Sequence, residues 1–157
     1  MADIDRCLRE FTGYSVKRAL NAIQADVNAT LRPFGLRMVT FSLLSVIAAN
    51  TGLRQSQLAD ALAIERPNIV QLLDELERAG LITRTRATDD RRAYALHLTE
   101  PGAKVHAAAT AAVREHDARM TVGLSNAQRG IVVAALQLIE RNGAKEKTDD
   151  AVAVPAP

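Results

Sequence analysis

Residues 66–80 constrain this chain most. Ile69, Leu72, Leu73 and Leu76 recur at i, i+3, i+4 and i+7, which predicts an amphipathic helix with one apolar stripe. Pro67 stands in its first turn, where the missing N–H costs nothing, and Ala79 and Gly80 close it, Gly80 as the left-handed stop. Just upstream, Gln55–Ala61 reads as a short helix that turns Leu58, Ala59 and Leu62 inward, followed by a turn over 63–65. Downstream, 81–86 reads as a strand and 87–92 as a turn-like loop. Residues 94–98 form the return strand, alternating Tyr94, Leu96 and Leu98 against Ala95 and His97. Short helix, turn, amphipathic helix and hairpin together predict a helix-turn-helix with a β wing, whose second helix enters the major groove of DNA.

The rest of the chain reads as scaffold. Residues 3–32 form one long helix by the spacing of Ile4, Leu8, Phe11, Tyr14, Ala19, Ile23, Val27 and Leu31, ended by Pro33 and Gly35. A small wing-bearing unit cannot cover a helix of that length, which predicts packing against a second chain. Residues 38–49 are apolar nearly all round, as in a buried helix, and Asn50, Thr51 and Gly52 form a turn. Thr99 is an N-cap ahead of Glu100 and Pro101, opening an alanine-rich helix to about 121. Ser125 and Gln128 have capping-box spacing and start a last helix, about 126–141, ended by Asn142 and Gly143. The fold class is therefore mostly α (α+β), a single domain over 1–143. Its winged helix-turn-helix spans about 38–99, between dimerisation helices at about 3–32 and 100–142, and 144–157 is a disordered tail.

Composition narrows the function by exclusion. The 157 residues are 48% hydrophobic, so the chain is not disordered. No apolar run approaches the roughly 18 residues of a membrane span, and residues 1–10 lack a signal-peptide core; a cytoplasmic protein with no membrane partner is expected. The single cysteine, Cys7, rules out an intrachain disulfide and multi-cysteine zinc sites. His106 and His116 fall on one helix face but roughly 15 Å apart along it, too far to share a metal. With no glycine-rich phosphate loop and no nucleophile beside a placed histidine, neither a cofactor nor an enzymatic activity is expected.

Net charge is only +2, and residues 54–92 hold seven arginines against seven acids. The case for DNA therefore rests on where charges sit. Opposite the leucine stripe, Asn68 and Gln71 lie one turn apart at the helix start, and their amides can pair bidentately with adenine. Asp74 and Glu75 would repel phosphates, so groove contact should be confined to about Arg66 through Gln71. The wing gathers Arg84, Arg86, Arg91 and Arg92 within nine residues, and a wing-tip arginine suits a narrow minor groove. An acid in that loop, Asp89 or Asp90, can orient an arginine by a paired hydrogen bond.

The run LERAGLITRTRATDDRRAYALHLTEPG, residues 76–102, resembles the wing of the multiple-antibiotic-resistance regulator (MarR) family. The matching positions are Leu76-Glu77, Gly80-Leu81-Ile82, Asp90 with Arg92, and Leu96, Leu98, Thr99 and Gly102; the helix QSQLADAL and the helical layout over about 5–141 agree. The resemblance implies a homodimer with interleaved terminal helices that binds a palindromic operator on double-stranded DNA, usually as a repressor. It implies Arg92 in the minor groove, Asp90 steering a wing arginine, Arg66, Asn68 and Gln71 facing the major groove, and Gln55 or Ser56 at the phosphates. Pro67 and Asn68 stand where many members have Ser and Thr, so the operator sequence does not carry over.

The resemblance also implies a small-molecule effector, commonly a phenolic or aromatic acid, held between the dimerisation helices and the reading unit. Phe11, Tyr14, Phe34, Met38 and Phe41 are the candidate lining, with Lys17 or Arg18 to meet a carboxylate; an aromatic acid or its thioester is the expected class. Two alternatives stand beside it: peroxide sensing through Cys7, near the start of the first helix, and a helical interaction module that never touches DNA.

Overall fold

In the computed structural model, residues 4–86 and 94–152 are described, with side chains as far as 143. The chain divides into two compact units, Met1–Asp117 and Ala118–Pro157.

The first unit opens with a 3-10 turn, Arg6–Leu8, followed by α1, Thr12–Leu31. The single helix expected over 3–32 is therefore broken near residue 11. Phe11 is extended at the N-cap, and Asp5 ties the preceding turn to α1 by accepting from Tyr14 (2.6 Å) and Arg9 (3.1 Å). The Tyr14 hydrogen bond holds the Asp5 carboxyl below its ordinary range, and the same bond raises the phenol. After a second 3-10 turn, Arg32–Phe34, comes α2, Met38–Ala49, with Thr40, Leu43, Leu44 and Ile47 buried. Then follow β1 (Leu53–Arg54), α3 (Gln55–Ala61), α4 (Arg66–Arg78), β2 (Ile82–Arg86), β3 (Tyr94–Leu98) and α5 (Glu100–Met120).

Instead of a two-stranded hairpin, the sheet has three antiparallel strands in the order β1-β3-β2. The extra strand is two residues long, too short for alternation to show, and pairs Leu53 with Leu96 and Arg54 with Ala95. It carries the chain directly from the sheet into α3. One core joins α1, α2, α3, α4 and the sheet through Leu31, Leu43, Leu44, Ile47, Leu58, Ile69, Leu73, Leu76, Ile82 and Leu96, each at most 2% exposed.

Among the described residues, three helix ends close in the same way. A left-handed residue is followed by an apolar one whose N–H reaches back to the helix. Gly35 and Leu36 end the first (Leu36 N–H to Leu31 O, 3.3 Å), Ala63 and Ile64 the second (to Ala59 O, 2.9 Å), and Gly80 and Leu81 the third (to Leu76 O, 3.0 Å). Ala63 does this at φ 51°, which a side chain rarely adopts, so the sharp turn between α3 and α4 is held by the core contact of Ile64.

The root of the wing is clasped to α5. The Thr99 hydroxyl donates to Gly80 O (2.6 Å) and accepts from the Gly102 N–H (2.9 Å), while the Thr99 N–H reaches Leu81 O (3.1 Å). A Cβ on Gly102 would lie 1.9 Å from Leu81 O, so only glycine allows this approach.

In the second unit, Gly123 turns the chain at φ 90° and the Ser125–Gln128 capping box is present at 2.8 and 3.3 Å. It opens α6, Asn126–Val152. The expected stop at Asn142 and Gly143 is not observed, and 144–152 continues the helix rather than forming a tail. Gly143 weakens the helix by only about 1 kcal/mol relative to alanine, and the following Ala144, Lys145, Glu146 and Lys147 are good helix formers. Ile131, Val132, Val133, Leu136, Leu138 and Ile139 are exposed along α6. Among the described residues no single helix is long and apolar enough to cross a membrane.

Candidate nucleic-acid interface

The start of α4 is exposed to solvent. Glu65 is its extended N-cap and Pro67 lies in the first turn. Ile69, Leu73 and Leu76 are buried beneath, which leaves Arg66, Pro67, Asn68, Val70 and Gln71 outward and exposed over the first two turns. Further along, Asp74, Glu75 and Glu77 are half-buried and engaged. The boundary expected at Gln71 therefore coincides with a change in environment.

Arg66 and Val70 lie on one flank of α4 and share a concavity with Arg54, Gln55 and Ser56 at the start of α3 and with Tyr94 of β3; Ala59 and Ile69 form its floor. Asn68 and Gln71 lie on the other flank, in a concavity with Arg37, Val39, Ile64, Leu72, Glu75 and Arg78. Gln55, Ser56 and Arg66 thus come together, whereas the two amides face away from them across the helix. Arg54, Val70 and Tyr94 were not singled out by sequence. Tyr94 counted only as a strand position, and Val70 lies off the leucine stripe without any polar chemistry to mark it.

Arg84, expected at the DNA, here turns its guanidinium onto α4, bonding Glu77 through Nε (2.9 Å) and Asp74 through Nη2. Its side chain is 19% exposed. The physical reason is register: Arg84 pairs across the sheet with buried Leu96, so it projects on the face that packs against α4. The Arg84 hydrogen bond holds the Glu77 carboxyl below its ordinary range. Glu75 is likewise bridged by Arg37, at the N-cap of α2. Asp74 and Glu77 thus hold the wing strand, and Glu75 pairs with the start of α2.

Arg86 is exposed, opposite Tyr94 at the outer end of the hairpin. Asp90 and Arg92 lie outside the described residues, so their expected roles stand on sequence alone.

The candidate effector residues differ in their surroundings. Phe34, Met38 and Phe41 are half-buried against the core, whereas Phe11, Lys17 and Arg18 are exposed and Tyr14 is committed to Asp5. Phe41 stacks on His106 of α5, with ring centroids 5.9 Å apart. The His106 Nε2 lies 3.1 Å from the Ser45 hydroxyl and 3.3 Å from that of Thr110. Burial lowers the His106 pKa from its ordinary 6.5. This aromatic and polar cluster was missed, because a lone histidine in an alanine-rich helix carries no pattern. Cys7 is exposed in the first 3-10 turn.

A short helix, a tight turn, a second helix exposed at its start and an antiparallel hairpin define a winged helix-turn-helix, a DNA-reading architecture. Comparison with known proteins agrees. The sequence profile of the MarR family matches residues 34–93. A putative transcriptional regulatory protein for the hcr operon of Thauera aromatica is 41% identical over 101 residues, 64% of this chain and 61% of that protein's length. The transcriptional repressor CouR bound to a 23-mer DNA duplex is 36% identical, with a TM-score of 0.83 over 87% of this chain and 96% of that one. CouR bound to p-coumaroyl-CoA gives 36% identity and a TM-score of 0.78, covering 85% and 94%. The chain belongs to the MarR family.

Proposed function

We propose that this protein is a homodimeric transcriptional repressor that binds a palindromic operator and is released by the thioester of a small aromatic acid. The observation that carries the reading is the exposed set Ser56, Arg66, Asn68 and Gln71, with Gln55 half-buried beside Ser56, on a frame superimposable on a DNA-bound repressor. Arg66, Asn68 and Gln71 meet base edges, Gln55 and Ser56 the phosphates, and Arg86 and Arg92 the wing-side backbone and minor groove. The apolar side chains exposed on α1 (Leu20, Ile23) and on α6 support a second copy as their cover.

This effector class is supported by the likeness to CouR bound to p-coumaroyl-CoA and by the Phe41–His106 stack, with the Ser45 and Thr110 hydroxyls at its polar edge. A flat aromatic acyl group can insert beside such a stack, and the hydroxyls can meet a phenol or a thioester carbonyl.

A gel-shift titration on DNA upstream of the protein's own gene tests the reading. Wild type should give a discrete complex, and Arg66→Ala and Arg92→Ala should each weaken it by roughly tenfold or more, about 1–3 kcal/mol per lost contact. An aromatic acyl-CoA should dissolve the complex and raise the melting temperature of the free protein. Equal binding by wild type and both variants would remove DNA from the account.

A further inference from the structure

We infer that Val70 is a specificity-determining residue that reads the 5-methyl group of one thymine in each operator half-site. This rests on the DNA-binding reading above. Val70 is 40% exposed on the outward side of α4. It follows Arg66 by one turn on the same flank, and Gln71, directly after it, begins the other flank. The rim around it is polar: Arg54, Gln55, Ser56 and Arg66, with the ring of Tyr94 closing the side towards the wing. The exposed part of Val70 faces water among donors suited to phosphates and base edges, above a floor already formed by Ala59 and Ile69.

Its chemistry fits the thymine methyl, the apolar group that DNA presents in its major groove. A β-branched side chain is short and stiff at χ1, so it loses little entropy when buried and makes contact only at close approach. Arg66 and Gln71 are longer and reach the flanking positions, while Val70, between them in sequence, meets the group that protrudes furthest from the groove floor. Recognition by methyl burial explains how this chain could hold a sequence preference at a position where no hydrogen bond is made.

The test is a deoxyuridine scan. Once footprinting has defined the operator upstream of the gene, each thymine is replaced singly, in both half-sites, by deoxyuridine, which lacks only the methyl. Wild-type protein should lose affinity at one symmetric position, roughly fourfold per half-site for one buried methyl. Val70→Ala should bind the unmodified operator with a similar loss and become indifferent to the substitution there, while Val70→Thr, which keeps one methyl, should retain part of the response. The inference is overturned if no thymine replacement weakens wild type by more than twofold. It is equally overturned if Val70→Ala responds to every replacement as wild type does. If wild type binds no upstream DNA specifically, the regulator reading itself falls, and this inference with it.

Discussion

At the scale of single residues, Gly102 is the least negotiable position. Glycine inside a helix ordinarily weakens it by about 0.5–1 kcal/mol relative to alanine, so Gly→Ala exchanges there tend to stabilise. Here the sign reverses, because the added carbon would sit 1.9 Å from the Leu81 carbonyl oxygen and the obstacle is backbone. Gly102→Ala is expected to destabilise the protein by roughly 2–3 kcal/mol, the upper part of the range for an overpacked core, because the obstacle is backbone. Thermal denaturation should show a fall of roughly 5–10 °C; an unchanged midpoint would mean that α5 can slide from Leu81 without penalty. Thr99 acts at the same point, satisfying Gly80 and Gly102 with a single hydroxyl.

At the scale of elements, the joint between α2 and α5 should be sensitive to acid. His106 is stacked on Phe41, and burial makes its ring harder to protonate in the folded chain than in the unfolded one. The unfolded state therefore binds the proton more readily, so the stability from the neutral ring is full above pH 6.5 and is lost as pH falls below it towards the lowered folded value. Melting temperatures taken from about pH 7.5 to about 5.5 should fall more steeply in wild type than in His106→Gln. Parallel curves would remove His106 from the acid response. The elements differed in how plainly the sequence announced them. Helix α4 was legible because proline, a four-residue apolar stripe and glycine mark its start, face and end. Strand β2 was legible by its Ile and Thr content, β3 by alternation, and the α6 capping box by the Ser125–Gln128 spacing. What stayed hidden lacked a local pattern. Strand β1 is defined only by its partner, the left-handed Ala63 lacks the glycine that would betray it, and the pairing of Arg84 with Asp74 and Glu77 depends on a strand packed against a helix. Charge in a sequence shows which side chains could reach DNA, and only the packing shows which are already occupied.

At the scale of the whole molecule, a two-fold dimer would place two α4 helices in successive major grooves, roughly 34 Å apart, so that every contact counts twice along the operator. Arginines that meet phosphate release bound cations, and each lost contact lowers the slope of log affinity against log salt by about one. Arg86 is exposed on the wing, and Arg86→Ala should reduce that slope by about two per dimer. Arg84 is neutralised within the protein by two carboxylates. The double variant Arg84→Met/Glu77→Met removes one charge of each sign, so it should weaken operator binding by loosening the wing while leaving the salt slope at the wild-type value. A slope that falls with it would mean that Arg84 leaves its carboxylates for phosphate on binding. If the slope holds, the Arg84 clamp divides the charge of one hairpin in two: arginine that displaces cations from DNA, and arginine already balanced by the protein's own carboxylates.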